Sequence, residues 1–243
     1  MPGVGTLVNV AAVLLGSIIG IITHNAIPER MRSSLMKALG VATMFIGIAS
    51  TLAEMLSVGE NGKLESNGIM LMIISLVIGT VLGEIIDIET KLEKLGDRIK
   101  KLRVFRGAGT FTEGFVTSTL LISVGAMAIV GSIRDGISGD PTILFSKSIL
   151  DFVSTMVFAS TLGIGVVFSA FPMGIYQGAI TLLAVIAGEH FMPATMVSDL
   201  SLVGSVLIFC IGINMFFGKK VKVGNMLPAL LVPILYGIFK AIF

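Results

Sequence analysis

The sequence is poor in charged residues, cysteine and histidine, and each shortage excludes a class of protein. Only 13% of its 243 residues are Asp, Glu, Lys or Arg. A typical soluble domain has about 25%, so the charged surface of a soluble protein is missing. The single cysteine excludes an internal disulfide and a cysteine-based metal site. The two histidines, His24 and His190, lack the spacing of metal ligands, so we expect no metal and no cofactor. The formal net charge of +2 gives no argument for nucleic-acid binding.

Long apolar runs account for most of the chain, in which 54% of residues are hydrophobic. Each run has about 20 residues, the length of an α-helix that crosses a bilayer. We therefore predict an all-α, polytopic transmembrane bundle of about eight spans. The runs are approximately Val4–Thr23, Ser34–Leu56, Ile69–Ile88, Phe115–Ile133, Ile143–Ser169, Gly174–Phe191, Leu200–Phe217 and Met226–Phe243. The first run lacks the basic region and cleavage site of a signal peptide, so we expect it to stay in the membrane.

Basic residues are concentrated in three linkers, which follow the first, third and seventh runs. Cytoplasmic loops carry an excess of Lys and Arg, so these three linkers are predicted to face the cytoplasm. The second linker, Ser57–Gly68, is acidic and is predicted to face the other side, together with both termini. The fifth linker is predicted to be a short turn at Phe171–Pro172.

The third linker, Glu89–Arg106, has the pattern of an amphipathic helix. Apolar residues recur in it at spacings of three and four, and lysines and arginines fill the other face. The apolar positions are Ile88, Leu92, Leu95, Ile99 and Leu102. Such a helix either lies at the membrane surface or extends the third span into the cytoplasm.

Two parts of the chain resemble each other. The matching segments are Ile27–Leu35 with Met192–Leu200, Ile46–Ile48 with Ile211–Ile213, and Asn9 with Gln177. Two runs separate the copies, so a unit of three spans enters the membrane in the opposite direction the second time. The linker charges agree, because the basic and acidic linkers exchange places between the copies. Inverted repeats of this kind are typical of secondary transporters, and some channels share the symmetry.

The repeat predicts four segments. They are a first three-helix repeat (1–90), a cytoplasmic amphipathic helix and linker (91–112), a central two-helix unit (113–170) and a second, inverted three-helix repeat (171–243). The function predicted from this architecture is secondary transport, coupled to protons or cations, of a small ion or solute. An ion channel is one alternative. A membrane scaffold or sensor that acts through the basic helix is another.

The residues that could line a pathway are charged or amide side chains inside apolar runs. Lys147 and Asp151 lie one helical turn apart in the fifth run, with Asp151 predicted to lie near the bilayer centre, either as a proton or cation site or as a structural ion pair. Asn9 and Gln177 occupy matching places in the two copies and could face each other. Asn214 and Asn225 are further buried amides. For each amide, interhelical hydrogen bonding is the alternative role.

Arg134 and Asp135 belong to a segment rich in glycine and charge, Gly131–Pro141. We interpret this segment as an external loop. The alternative is a re-entrant or broken segment, which would need a polar cavity around it.

Enzymatic motifs are absent from the sequence. It contains no G-x-x-x-x-G-K-[ST] phosphate loop, no H-E-x-x-H zinc helix and no G-x-S-x-G elbow, so we expect no enzyme. The expected partners are the lipid bilayer, a small ion or solute and, because the helices are rich in glycine, further copies of the chain.

Five motifs spread over the chain make it resemble the YdfK/YqgA-like family of bacterial integral membrane proteins. They are Gly5–Asn9, Gly125–Ser132, Lys147–Asp151, Gln177–Thr181 and Asn225–Ala229. The resemblance implies a bacterial inner-membrane protein. That family is one of unknown function, so the resemblance supplies no substrate and no site residues.

Overall fold

The chain folds almost entirely into α-helices. A computed structural model describes residues 1–24, 28–59, 62–101, 109–123, 126–187 and 194–242. In chain order the elements are α1 (Val4–His24), α2 (Glu29–Met55), β1 (Leu56–Val58), β2 (Leu64–Ser66), α3 (Ile69–Ile86), α4 (Ile88–Lys100), α5 (Phe111–Ser123), α6 (Ala126–Ile137), α7 (Thr142–Leu162), a 3-10 helix (Gly163–Ser169), α8 (Ala170–Ala187), α9 (Ala194–Phe217), α10 (Val223–Met226), a second 3-10 helix (Leu227–Leu230) and α11 (Leu231–Ile242). The predicted all-α class is confirmed.

Within the described residues, five helical stretches are long and apolar enough to cross a membrane. They are Val4–Thr23, Ser33–Met55, Ile69–Ile86, Thr142–Ile186 and Ser198–Phe217. A sixth results if α5 and α6, which are bent by 58° relative to each other, form one broken span. Helices that can span a membrane are therefore confirmed, whereas the number eight and the inverted repeats stay predictions.

Helix α3 shows how these helices are adapted to lipid. Its buried residues are Ser75, Gly79 and Gly83, whereas Ile85 is 76% exposed and most of its other large apolar side chains are exposed too. A helix in water buries its large apolar face, but in lipid the small residues mediate helix packing and the large ones face the acyl chains. The exposed apolar surface of α3 is thus a surface for lipid.

The chain divides into two compact units. The first comprises Met1–Ala38, Thr90–Ser123 and Met127–Phe191, and the second comprises Leu39–Glu89, Val124–Ala126 and Met192–Phe243. In the first unit, α1 packs closely on α7 because Gly16 and Gly20 have no side chain. A Cβ atom at either position would collide with a backbone carbonyl of α7, at Phe152 or Met156. The two glycines, which are four residues apart, therefore serve close packing of α1 on α7.

The second unit contains two similar close approaches. In α3, Gly83 lies against the carbonyl of Asn225, which belongs to the short helix α10. Helices α2 and α9 run antiparallel where Gly47 meets Phe209 and Gly212 meets Met44. Small residues at these positions let the helix backbones come together, as van der Waals packing in lipid requires.

The external loop predicted at Gly131–Pro141 is wrong for most of its length. Helix α6 continues to Ile137, and the turn is confined to the residues between Ile137 and α7, where Gly139 has a positive φ of 64°. Gly131 and Gly136 are helical and serve close packing, because Cβ atoms there would overlap Leu144 of α7 and the Thr181 carbonyl of α8. Glycine in this segment therefore reflects packing and not a loop.

One other linker differs from the prediction, and a second contains a short hairpin. The turn expected at Phe171–Pro172 falls earlier, in the 3-10 helix Gly163–Ser169, and Pro172 lies in the first turn of α8, where proline is tolerated. The acidic linker Ser57–Gly68 contains the antiparallel pair β1–β2, in which Leu56 pairs with Ser66.

Some predictions fall on residues outside the described part of the chain. These are His190, part of the repeat segments (Ile27, Met192 and Pro193), Gly125 of the second family motif, and the end of the predicted amphipathic helix (Leu102, Arg103 and Arg106). The segment boundaries at 90, 112 and 170 stay predictions.

Candidate functional site

A buried ion pair lies near the middle of α7. Lys147 Nζ contacts Asp151 Oδ2 one helical turn away, and the two side chains are only 8% and 10% exposed. The helix spacing explains the pairing, because residues four apart lie on one face. Removing two charges from water is expensive, and only mutual attraction and further hydrogen bonds can offset it.

Asn9 of α1 supplies one such hydrogen bond and extends the pair to a third helix. Its Nδ2 donates to Asp151 Oδ2 at 3.0 Å and to Gln177 Oε1 of α8 at 3.2 Å. The same nitrogen lies 3.6 Å from the sulfur of Met173. Asn9 and Gln177 are completely buried. The structure therefore brings together four of the predicted site residues, Asn9, Lys147, Asp151 and Gln177, where α1, α7 and α8 meet.

Each amide of this cluster has one atom without a hydrogen-bond partner among the described residues. These atoms are Asn9 Oδ1 and Gln177 Nε2, and both are buried. The orientation of Asn9 follows from the charge of Asp151, because a carboxylate only accepts hydrogen bonds and must face the Asn9 NH2 group. Asn9 in turn determines the orientation of the Gln177 amide, because the Gln177 carbonyl oxygen accepts the second N–H of Asn9.

Polar side chains continue from this cluster along one face of α1. One turn towards its N-terminus, the hydroxyl oxygens of Thr6 and Thr181 are 3.4 Å apart. One turn in the other direction, the Thr155 hydroxyl approaches the Val13 carbonyl at 3.4 Å. The hydroxyl of buried Ser17 has no partner among the described residues. These residues and the Asn9 cluster form a file of buried polar groups, which we call the α1 polar file.

Asp135 lies at the N-terminal end of the α1 polar file. Its Oδ2 accepts hydrogen bonds from the backbone N–H groups of Gly3, at 3.1 Å, and Gly5, at 3.0 Å. The side chain is completely buried, and it accepts hydrogen bonds from backbone N–H groups at the start of α1. Its neighbour Arg134 is exposed, so the two residues predicted together lie on different sides of α6.

A groove of about 810 Å³ opens beside the α1 polar file, between α1 and α8. Its walls are mostly apolar, and its polar side chains are Thr6 and Thr181. Met1, Gly3, Val10, Gly174 and Gly178 also line it. The groove thus reaches the threonine pair that is one turn away from Asn9 and Gln177.

The remaining two predicted amides lie in the second unit and bind backbone atoms. Asn214 of α9 accepts hydrogen bonds from the N–H groups of Lys220 and Val221 and donates to the Val221 carbonyl at 2.6 Å. Asn225 accepts the backbone N–H of Glu89 at 2.8 Å. Both amides therefore hold loops and helix ends.

Sequence reasoning missed several members of the site. Thr6, Thr155 and Thr181 each lie three or four residues from a predicted member of the cluster on the same helix, so helical spacing of polar residues could have identified them. Met173 carried no such signal. The described residues contain no group of three His, Cys, Asp or Glu side chains that could hold a metal ion.

Outside the membrane helices, Asp140 is a partly exposed carboxylate in the turn before α7. Its Oδ1 accepts hydrogen bonds from the Thr142 hydroxyl, at 2.6 Å, and from the Thr142 backbone N–H. These bonds stabilise the carboxylate and hold the pKa of Asp140 below its ordinary value.

Comparison with known proteins supports the predicted family. A model of a family described as "Protein of unknown function (DUF554)" matches residues 4–238. The chain is 32% identical over 229 residues to the "Uncharacterized membrane protein YdfK" of Bacillus subtilis, covering 94% of this chain and 93% of that protein. It is also 32% identical over 233 residues to the "Uncharacterized protein YqgA" of Escherichia coli, covering 94% of both. No solved structure matches the chain.

Proposed function

The chain belongs to the DUF554 family of membrane proteins, and we propose that it is a secondary transporter for a small ion or solute, coupled to protons or cations through Asp151. One observation carries the proposal, which is the buried Lys147–Asp151 pair with two amides whose polar atoms are not all partnered by the residues that the structure describes. Ionisable groups inside a membrane protein are expensive and typically mark ion pathways or proton relays. We propose no enzymatic activity.

The path that we propose follows the α1 polar file. Three of its residues belong to α1, namely Thr6, Asn9 and Ser17. Two carboxylates of other helices contact α1 along the same face, namely Asp135 and Asp151. Buried polar groups of this kind are normally satisfied by water or by a bound ligand. A file of them within a membrane-spanning unit is the environment through which a proton or small ion can move.

Asp151 can couple to the amides because its charge determines their orientation. If Asp151 takes up a proton on Oδ2, that oxygen becomes a hydrogen-bond donor, and Asn9 can turn its carbonyl oxygen towards it. Gln177 must then turn its NH2 group towards the same oxygen. The unpartnered atoms change from Asn9 Oδ1 and Gln177 Nε2 to Asn9 Nδ2 and Gln177 Oε1. Protonation would thus invert the polarity that the site offers to a solute.

The proposed architecture has eight spans. The stretch Thr142–Ile186 has 45 residues, about 68 Å as a continuous helix, which is twice the hydrocarbon thickness of a bilayer. Asp151 and Gln177 both contact Asn9, so α7 and α8 lie side by side and this stretch crosses twice. Counting α5–α6 and the apolar stretch Val223–Gly237 as one span each brings the total to eight.

Reciprocal contacts support inverted repeats. Ile46–Ile48 aligns with Ile211–Ile213, so Gly47 matches Gly212 and Met44 matches Phe209. The contact of Gly47 with Phe209 is therefore equivalent to that of Gly212 with Met44. In the first unit, Asn9 hydrogen-bonds Gln177, its own match. A two-fold axis in the membrane plane relates antiparallel helices in this way.

The proposed location is the bacterial inner membrane, with both termini on the non-cytoplasmic side. The positive linkers support this orientation, and both relatives come from bacteria. Assembly of several copies stays a prediction, because the glycine pairs of α1 and α3 pack within one chain.

Flux into proteoliposomes under an imposed proton or sodium gradient tests the proposal. We expect flux above that of empty liposomes, and we expect Asp151→Asn to abolish it. The matched control is Asp140→Asn, the same chemical change at a partly exposed carboxylate, which should leave flux intact. Absence of flux with both gradients would contradict coupled ion transport, and full flux in Asp151→Asn would remove Asp151 from the pathway.

A channel is the second candidate, favoured by the continuity of the α1 polar file. Single-channel currents across a planar bilayer distinguish the two, because a carrier turns over too slowly to give resolvable unitary currents.

A further inference from the structure

Helix α4 lies in the chain between α3 and α5. It follows α3, a membrane span, after the single residue Asp87, which has a positive φ of 54°. Within the first unit, its middle packs on the first turns of α5. Asp97 accepts a hydrogen bond from the Thr112 hydroxyl at 2.6 Å, and a Cβ at Gly96 would lie 3.1 Å from the Phe115 ring. In the proposed topology, α4 therefore begins where the predicted span α3 ends, which is where the lipid headgroups begin.

Four cations lie along one face of α4 and its C-terminal end. Lys91, Lys94, Arg98 and Lys101 recur at spacings of three and four and are all exposed. Lys101 follows the last residue of α4 and still donates its N–H to the Asp97 carbonyl, so it continues the helix. We call these four residues the basic stripe. None of them forms an ion pair with a carboxylate in the described part of the chain. The carboxylates of Glu89 and Asp97 are instead engaged by the protein.

An apolar side chain adjoins the basic stripe. Leu95 is 44% exposed and lies next to Lys91 and Arg98 on the helix surface. A row of cations beside an exposed leucine matches an interfacial helix, in which cations bind headgroups and the apolar side chain enters the acyl boundary.

We propose that the outer face of α4, formed by the basic stripe and Leu95, binds the headgroup phosphates of anionic phospholipids. Charge complementarity supports this partner, because the cytoplasmic leaflet is negatively charged and attracts basic residues next to a membrane span. The connection of α4 to α3 brings the headgroups within reach without a separate recruitment step. A nucleic acid would need the stripe to face away from the bilayer, whereas Leu95 on the same face favours the lipid. This surface is independent of the proposed transport.

The absence of tryptophan makes a direct test possible. Leu95→Trp gives the full-length protein a single tryptophan, next to the basic stripe. Its fluorescence is measured in liposomes that contain phosphatidylglycerol or phosphatidylcholine, each brominated on its acyl chains near the headgroup. We expect stronger quenching by brominated phosphatidylglycerol, and we expect the difference to decrease as salt is added.

Charge-removing variants identify the residues responsible. Converting the four residues of the basic stripe to Gln in the Leu95→Trp protein should lower the local enrichment of phosphatidylglycerol by at least about fivefold. The matched control converts four exposed cations elsewhere to Gln, namely Arg30, Lys37, Lys63 and Lys220, and should keep the preference. Replacing Lys91, Lys94 and Lys101 by Arg preserves the charge and should also keep it, which checks that the helix tolerates substitution.

Three results would overturn the proposal. Equal quenching by the two lipids would mean that α4 does not select anionic headgroups. A preference that survives loss of the basic stripe would assign it to other residues. An equal loss in the control variant would show diffuse attraction by the whole protein and no binding by α4.

Discussion

Asp151 in the first unit and Glu89 in the second are both buried carboxylates paired with a lysine and close to an asparagine, but their bonds differ. Glu89 Oε2 accepts the backbone N–H of Gly224 at 2.9 Å, and its Oε1 lies 2.9 Å from Nζ of Lys219, whose side chain is 53% exposed. Asn225 accepts the backbone N–H of Glu89. By contrast, Asp151 Oδ2 is bound by the side chains of Lys147 and Asn9, and both are buried.

The difference separates a structural carboxylate from one that can change partners. Backbone N–H groups cannot turn around without unfolding a helix end, so Glu89 is held in one state. An amide or ammonium group can rotate, so the partners of Asp151 can be rearranged while the helices stay in place. Burial and charge are therefore shared by the two sites, and the nature of the partner distinguishes them.

The largest effect should follow from breaking the ion pair of the first unit. Lys147→Met leaves Asp151 as an uncompensated buried charge, which should lower the free energy of unfolding by about 3–5 kcal/mol. The double variant Lys147→Met, Asp151→Leu should regain much of that stability and still lack flux. Thermal unfolding of the purified protein in detergent measures the stability of both variants. A double variant that is no more stable than the single one would contradict the uncompensated charge as the cause.

Breaking the corresponding site of the second unit should reduce stability and spare function. Glu89→Ala removes the acceptor of the Gly224 N–H, which should reduce the free energy of unfolding by about 1–3 kcal/mol. Flux per folded molecule should remain that of the wild type. Glu89→Gln keeps an acceptor oxygen and should be milder. If Glu89→Ala abolishes flux in folded protein, the contrast between the two carboxylates is wrong.

A smaller effect should follow from the amides of the first unit. Gln177→Met keeps the length of the side chain but removes the acceptor for one Asn9 N–H, which should reduce stability by about 1 kcal/mol. Because Asn9 then loses the neighbour that holds its orientation, the pH profile of flux should also shift. Measurement of flux over a range of pH checks this. An unchanged profile would leave the amide pair with a packing role alone.

The smallest effect concerns Asp140, a partly exposed carboxylate in the turn before α7. Its pKa is lowered in the folded state by the Thr142 hydroxyl and N–H. It therefore adds stability above its unfolded-state pKa, and this contribution is lost as the pH falls through its folded-state pKa. Asp140→Asn should flatten the acid side of the thermal stability profile slightly, and Thr142→Val should do the same. A profile identical to that of the wild type in both variants would count against this role.

Hydropathy predicted most of the helices but not their interruptions. The run at Ile69–Ile88 differs from α3 by only two residues, because apolar length alone determines such a span. The prediction of a loop at Gly131–Pro141 was wrong because glycine occurs both in turns and at close helix contacts. The contact of Gly136 with the Thr181 carbonyl shows that it serves packing. Thr181 is remote from Gly136 in sequence.

The site could be predicted in part. Helical spacing pairs Lys147 with Asp151, and the repeat pairs Asn9 with Gln177, but no pattern in the sequence joins these two pairs. The junction depends on the close contact of α1 with α7, which Gly16 and Gly20 permit. Asn214 carries the same local signal as Asn9, yet the loop after α9 occupies both ends of its amide.

The β1–β2 hairpin is an exposed place at which a label can be attached. All six of its strand residues are exposed, and the Asn67 N–H donates to the Met55 carbonyl at 2.7 Å, so the hairpin bridges the ends of α2 and α3. A short epitope inserted at Gly62, where the chain is open and has a positive φ of 69°, would sit outside the membrane without disturbing a span. Antibody labelling of spheroplasts before and after permeabilisation would then reveal which side of the membrane this turn occupies. From that single point, the directions of α2 and α3, whose ends the hairpin joins, could be assigned.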